Sequence, residues 1–584
     1  MLKATRAIRC EVVGMLALWL AGCAAGVAPP AAPAPDLILH HAKIVTVDKT
    51  FSIAQAIAIR EGKIIAVGTD ADILASRGPN TQLIDLAGRT VIPGLIDSHV
   101  HPGAAMTEFD HAVPEMESVE DILDYVKKRA AAVGEGKWVS VSQVFITRLR
   151  EPRYPTRAEL DAAAPKNPVI FATGPDCSLN TLAMKLSNID RDFKITDGGP
   201  GYVEKDEAGE PTGILRSMTR YVKSEDSEKP PGQADTYART KALFADYNSV
   251  GITAIGDRSA SPGSLDMYKK MRDAGDLTVR VAASYHVDHI GTLESIENRV
   301  RAAAAHPLHK SDPMLQIIGI KMFLDGGMLT GSAFMQKPWG VSKTYGITDP
   351  NYRGVLFIPR QRLLPIVKTA VESGLQFTAH SVGDGAVHTL LDVYEEVNKT
   401  TPVANVRCCI THSNFMSREA IDQAKQLGVC LDIQPIWLWL DTRTLVNQFG
   451  YDRLRYFQPL KSIFDAGVTA GGGSDHMQKI GSLRSINPYN PFLGMYTTLT
   501  RQARWYQGQL HPEEALTRQQ ALRFYTANNA YLLFREKETG SIEPGKFADL
   551  AILDRDILNC PLDEIRETQV EKTYLAGKMV FERK

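Results

Sequence analysis

The sequence predicts an α/β fold: a (β/α)₈ barrel carrying a small β-sandwich domain built from both chain ends and a cap inserted after the first strand. Three observations lead there. Eight apolar, strand-like runs alternate with helical stretches through the middle of the chain, at 94–100, 251–256, 278–283, 314–323, 376–380, 407–412, 429–434 and 469–475. Such alternation is the pattern of parallel βα units, and eight of them close a barrel. Short strand-and-turn texture occupies 36–92 and returns at 543–584, on either side of that long middle. Finally, about 145 residues separate the first run from the second, too many for one βα connection.

Each part can be justified in chain order. Lys3, Arg6 and Arg9 precede a short apolar run from Val12 to Leu20, and Leu20-Ala21-Gly22-Cys23 follows at once. A basic start and a short apolar stretch read as an export signal, not a span. The tetrapeptide is similar to the bacterial lipobox, which implies lipidation of Cys23 at the end of a signal covering 1–23. A Pro/Ala tether at 24–35 suits a semi-extended spacer. The small β domain then takes 36–92 and 543–584, with turns such as Glu61-Gly62-Lys63 and Ala576-Gly577-Lys578. The barrel takes 93–542. The cap is placed at about 103–248, with strand signals at 138–145 and 169–172 and a helical stretch at 119–131.

Composition narrows the function. Sixty-six basic residues face sixty-seven acidic ones, for a net charge of −1, so no basic excess exists to neutralise phosphates and nucleic acid is not the expected partner. Seven cysteines show no CxxC spacing, which leaves neither a disulfide framework nor a zinc ribbon.

The chemistry sits at the ends of five runs. The first ends in Asp97-Ser98-His99-Val100-His101. Residues two apart on a strand point the same way, so both imidazoles can reach one metal. The fourth run holds Lys321, the fifth ends at His380, the sixth at His412 and the eighth at Asp475. Barrel active sites form at the C-terminal strand ends, where residues far apart in the chain converge. Imidazoles plus a carboxylate suit zinc or a similar divalent metal. Such a metal lowers the pKa of water to about 7, and Asp475 fits the task of taking the proton. A charged lysine would repel the cation. Lys321 makes sense there only when neutral or converted by CO₂ to an anionic carbamate. Asp475 and Lys321 are thus the residues expected to carry catalysis. Asp325, Gly326, Gln434 and His476 lie at or beside strand ends and are expected to touch substrate or support the ligands.

The set resembles the amidohydrolase superfamily, in its YtcJ-like branch (the amidohydrolase 3 family), which includes N-substituted formamide deformylases. The likeness rests on the stretch from Val91 to His101, the Lys321 to Gly326 stretch, Ala379-His380-Ser381-Val382-Gly383-Asp384, Thr411-His412, Gly473-Ser474-Asp475, and the C-terminal stretch from Gly540 to Leu550. It implies that His99 and His101 hold the more buried of one or two zinc ions, that Lys321 bridges as a carbamate, that His380 and His412 hold the second ion, and that Asp475 binds and acts as base. One departure stands out: where relatives carry a His near an Asn-Ser pair, this chain reads Pro175-Asp176-Cys177-Ser178-Leu179-Asn180-Thr181.

The expectation is therefore a metal-dependent hydrolase cutting an amide-type C–N bond, other than a peptide bond, in a small organic substrate. It would face the periplasm from a lipid anchor at the cell envelope, with a homodimer as the assembly. The same constellation serves lactone or ester opening. A non-catalytic envelope binding lipoprotein would lose ligands, and none is missing here.

Overall fold

The computed structural model describes residues 34–584 apart from 107–110, 143, 175, 197–200, 226–231, 311 and 479–480. The expected signal segment with Cys23, and the expected tether up to residue 33, lie outside the described residues.

The eight predicted runs all form strands, which we label β1 (Leu95–Val100), β2 (Ile252–Ala260), β3 (Arg280–His286), β4 (Leu315–Phe323), β5 (Gln376–Ser381), β6 (Cys409–His412), β7 (Cys430–Ile433) and β8 (Ala470–Gly472). Each pairs in parallel with its sequence neighbour. Beyond β8 the chain bridges Val100 through His476, in parallel, and closes the ring. Two backbone bonds seal it: Asp475 N–H donates to His99 O at 2.8 Å, and His101 N–H to His476 O at 2.8 Å.

Helices cover the outside because their apolar residues recur on one stripe. Arg418–Leu427 buries Ala420, Ile421, Ala424 and Leu427. Ser417 caps its start by accepting from Ala420 N–H, and Gly428, at φ +66°, ends it in a left-handed turn that a side chain would strain. Inside the barrel, Ile96, Ala254, Ala282 and Ile318 form an apolar floor with Ala530 and Leu533. Above it runs a polar layer. Arg258 Nη1 donates to Gln376 Oε1 at 2.7 Å and to Ser284 Oγ at 3.1 Å, and its Nε to Ser98 O at 3.0 Å.

The chain ends build the β-sandwich. Lys63–Gly68, Ala56–Arg60, Leu37–His40 and Gln82–Asp85 make one sheet in that order. Lys578–Glu582, Val570–Leu575, Leu550–Leu553, Thr90–Pro93, Lys43–Val45 and Ile53–Ala54 make the other. Leu39, Ile57 and Ile59 from the first share a core with Ile44, Val91, Leu550 and Ile552 from the second. A buried bidentate pair, Arg280 Nε to Asp549 Oδ2 at 2.6 Å and Nη2 to Oδ1 at 2.9 Å, fastens this domain to β3.

The insertion after β1 folds as a five-stranded sheet ordered Tyr202–Lys205, Pro211–Arg216, Asp176–Leu179, Val169–Thr173 and Val139–Val141. Val169–Thr173 and helix Val119–Val133 match their expected places. The strand expected over 138–145 is shorter. Only Val139–Val141 pairs, and Ile146–Arg148 turns in a 3₁₀ helix that carries Arg148 to Asp441 on the barrel. The insertion's last helix, Gln233–Ser249, packs Leu243, Phe244 and Tyr247 into the barrel's own core, so it is part of the wall.

Candidate metal centre

At the C-terminal mouth, β1 and the end of β8 bring three ligand atoms together. His99 Nε2, His101 Nε2 and an oxygen of Asp475 all lie within 4.8 Å of one another. The two Nε2 atoms are 3.2 Å apart, and Asp475 Oδ1 lies 3.3 Å from His99 Nε2 and 3.0 Å from His101 Nε2.

The surroundings decide which nitrogen is free on the rings of His99 and His412. His99 Nδ1 stands 2.9 Å from Asp432 Oδ2. An ionised carboxylate only accepts, so Nδ1 carries the hydrogen and Nε2 keeps its lone pair for the cluster. Asp432 Oδ1 also accepts from Ser98 Oγ at 2.6 Å and from Gln434 Nε2 at 3.1 Å. That bond orients the Gln434 amide, whose Oε1 accepts from His412 Nδ1 at 2.7 Å and frees His412 Nε2 in the same way. Asp432 was not anticipated. Its signal was a lone carboxylate inside an apolar strand run, two residues before Gln434 and hence on the same face.

The other three predicted ligands gather beside this cluster. The His412 ring stacks on His99 at 5.0 Å and on Trp437 at 4.7 Å, and meets His380 edge-on at 4.5 Å. His380 Nε2 approaches Gly326 O at 3.4 Å. Lys321 is fully buried, 4.9 Å above the Phe323 ring, and its Nζ has no hydrogen-bond partner among the described residues.

Electrostatics keep the imidazoles of His99, His380 and His412 neutral. Burial, followed by the Lys321 charge, holds His99 well below the usual range and His380 down at about 3. Burial, then His380 and His99, does the same to His412. Burial also lowers Lys321 to about 8. His412, Ser413 and Asp475 sit at φ +75°, +47° and +56°. Non-glycine residues rarely adopt this region, and it tends to collect at functional sites.

The donor set fits a divalent metal. Two imidazole nitrogens and a carboxylate converge, and among the described residues neither the buried Asp475 Oδ1 nor the buried lysine nitrogen beside them has a hydrogen-bond partner.

The four expected substrate contacts are turned toward support. Asp325 accepts from the N–H groups of Phe334 (2.9 Å), Val382 (3.0 Å) and Gly383 (2.9 Å), so it ties the loops after β4 and β5 together. Gly326 lends its carbonyl to His380, and a Cβ there would lie 2.3 Å from Ser332 Oγ. Gln434 serves His412. His476 is fully buried, 2.9 Å from Tyr247 Oη and 4.6 Å from the Tyr489 ring.

The chain is 28% identical to an N-substituted formamide deformylase from Arthrobacter pascens, over 94% of this chain and 98% of that one. It is 24% identical to the putative amidohydrolase YtcJ of Bacillus subtilis, over 94% and 99%. Its fold is similar to that of a metal-dependent hydrolase, described as uncharacterized, from Pyrococcus horikoshii OT3, with a TM-score of 0.65 at 22% identity, covering 90% of this chain and 99% of that chain. The model of the amidohydrolase family matches residues 82–581, and the chain belongs to that family.

Proposed function

We propose that the protein is a metal-dependent hydrolase cleaving an amide-type carbon–nitrogen bond, other than a peptide bond, in a small organic substrate. The observation that carries the reading is the convergence of His99, His101 and Asp475 within 4.8 Å at the barrel mouth, with Lys321, His380 and His412 packed alongside. A divalent metal, with zinc as the first choice for these ligands, would make water acidic enough to ionise near neutrality and polarise the scissile carbonyl. His99 and His101 would hold the inner ion, and His380 and His412 a second. Lys321 would bridge them as a carbamate, a role supported by its buried, unpartnered nitrogen and lowered pKa. Asp475 takes a proton from the attacking water at its carboxylate and hands it to the leaving nitrogen as the C–N bond breaks.

N-substituted formamides are the first compounds to test, on the strength of the Arthrobacter relative. The experiment is metal analysis of the purified protein together with an assay on formamides, other amides, lactones and esters, with and without chelator. Metal-dependent release of amine from amides supports the proposal. Turnover of lactones or esters alone would move the substrate class, and a protein that neither holds metal nor responds to chelator would sink it. We also propose a lipid anchor on Cys23 at the cell envelope, resting on the signal-like sequence. Intact-mass analysis of the mature protein should find the lipid, and an unmodified Cys23 would remove the anchor.

A further inference from the structure

We propose that the cap sets the position of Asp475 through a buried relay, Arg148 to Asn487 to Asp475, and so tunes how tightly the centre holds its metal. The inference rests on the reading of His99, His101 and Asp475 as ligands.

The relay is legible bond by bond. Arg148 comes from the cap and is 3% exposed. Its Nε and Nη2 donate to Asp441 Oδ1 and Oδ2, each at 2.8 Å, which fixes the guanidinium plane against helix Pro435–Phe449. Its remaining edge, Nη1, donates to Asn487 Oδ1 at 2.8 Å and to Ile486 O at 2.5 Å. A guanidinium has no acceptor, so the Asn487 oxygen must face it. The amide nitrogen is thereby sent the other way. Asn487 Nδ2 donates to Asp475 O at 2.6 Å and approaches Asp475 Oδ2 at 3.5 Å.

Asp475 needs such a hold. Its backbone is at φ +56°, a conformation disfavoured for a residue with a Cβ. On one side its N–H is pinned to His99 O at 2.8 Å. On the other, Asn487 pins its carbonyl, and the side chain projects Oδ1 toward both imidazoles. Arg148, Asp441, Asn487 and Asp475 are each at most 3% exposed, so water cannot replace the lost bonds cheaply. Arg148 lies more than three hundred residues from Asp475, and it acts through Asn487, as a positioning residue.

The test measures retention of zinc against a competing chelator, which needs no substrate. Asn487→Ala should weaken zinc retention by about tenfold or more, in line with the loss of an outer partner of a ligand. Arg148→Lys should move it in the same direction. In an Asp475→Asn background, Asn487→Ala should add nothing further, because the relay then has no ligand to place. Unfolding midpoints of the metal-free proteins show whether each variant is folded. Should Asn487→Ala unfold, Asn487→Ser and Arg148→Lys carry the same cycle. Unchanged retention in Asn487→Ala, or an equal loss in the Asp475→Asn background, overturns the relay while leaving the metal centre intact. A wild-type protein that retains no zinc, manganese, iron or cobalt overturns the ligand reading and the relay with it.

Discussion

The two halves of the candidate centre are built differently. On the β1 and β8 side, the imidazole of His99 and the backbone of Asp475 are fixed from outside, by Asp432 at 2.9 Å and by Asn487 at 2.6 Å. On the β4 and β5 side, Lys321 Nζ has no hydrogen-bond partner among the described residues, and His380 Nε2 has long contacts, 3.4 Å to Gly326 O and 3.8 Å to Asp325 Oδ1. Preformed ligands need little reordering when an ion arrives. A buried nitrogen left unbonded is costly, which is the ground for the carbamate proposed on Lys321. The contrast teaches that His99 and Asp475 are held in place by their neighbours, whereas Lys321 and His380 are held loosely.

Four substitutions or conditions would break or sharpen that contrast. The largest effect is expected from Asp475→Asn. It should lower turnover by about 10²–10⁴-fold, while the protein still binds metal when metal is supplied in excess. Full activity would remove Asp475 as the proton carrier. Lys321→Ala should come next, with a lower metal-to-protein ratio by elemental analysis, because the bridge would be gone. An unchanged ratio together with an unchanged rate would dissolve the distinction between the halves. Asp432→Ala should then weaken metal affinity by about 10–100-fold by freeing the His99 ring, measured by chelator titration. The smallest effect concerns pH. Only a neutral amine reacts with CO₂, and its fraction rises as pH passes upward through about 8 for Lys321. Metal loading in bicarbonate should therefore be fuller at pH 8.5 than at pH 6.5, and Lys321→Ala should lose that dependence. A flat profile in the parent protein would speak against the carbamate.

Much of this was readable from the chain. Each barrel strand is an apolar run ending near a polar residue, a pattern with few alternatives, and all eight appear where expected. Histidines at successive strand ends are conspicuous for the same reason. The supporting residues were not readable. Asp432 acts on His99 and Asn487 answers to Arg148, each hundreds of positions away, and nothing local distinguishes Arg148 from a surface arginine. Gln434 and Asp325 were noticed, yet only the fold reveals that they hold a ring and two loops. Nothing in the sequence beside Asp475 signals that His476 packs on Tyr247 and Tyr489. Helix Gln233–Ser249 was assigned to the cap because length alone does not separate an inserted helix from a wall helix.

The sandwich at the chain ends has a consequence for biogenesis. Thr90–Pro93 lies between Lys43–Val45 on one edge and Leu550–Leu553 on the other. The earliest strands to leave the ribosome must therefore wait for some of the last before their sheet is whole, and closing so long a loop is slow. Any product cut short before residue 550 would present Val91 and Ile92 along a bare edge, a ready mark for aggregation or quality-control proteolysis.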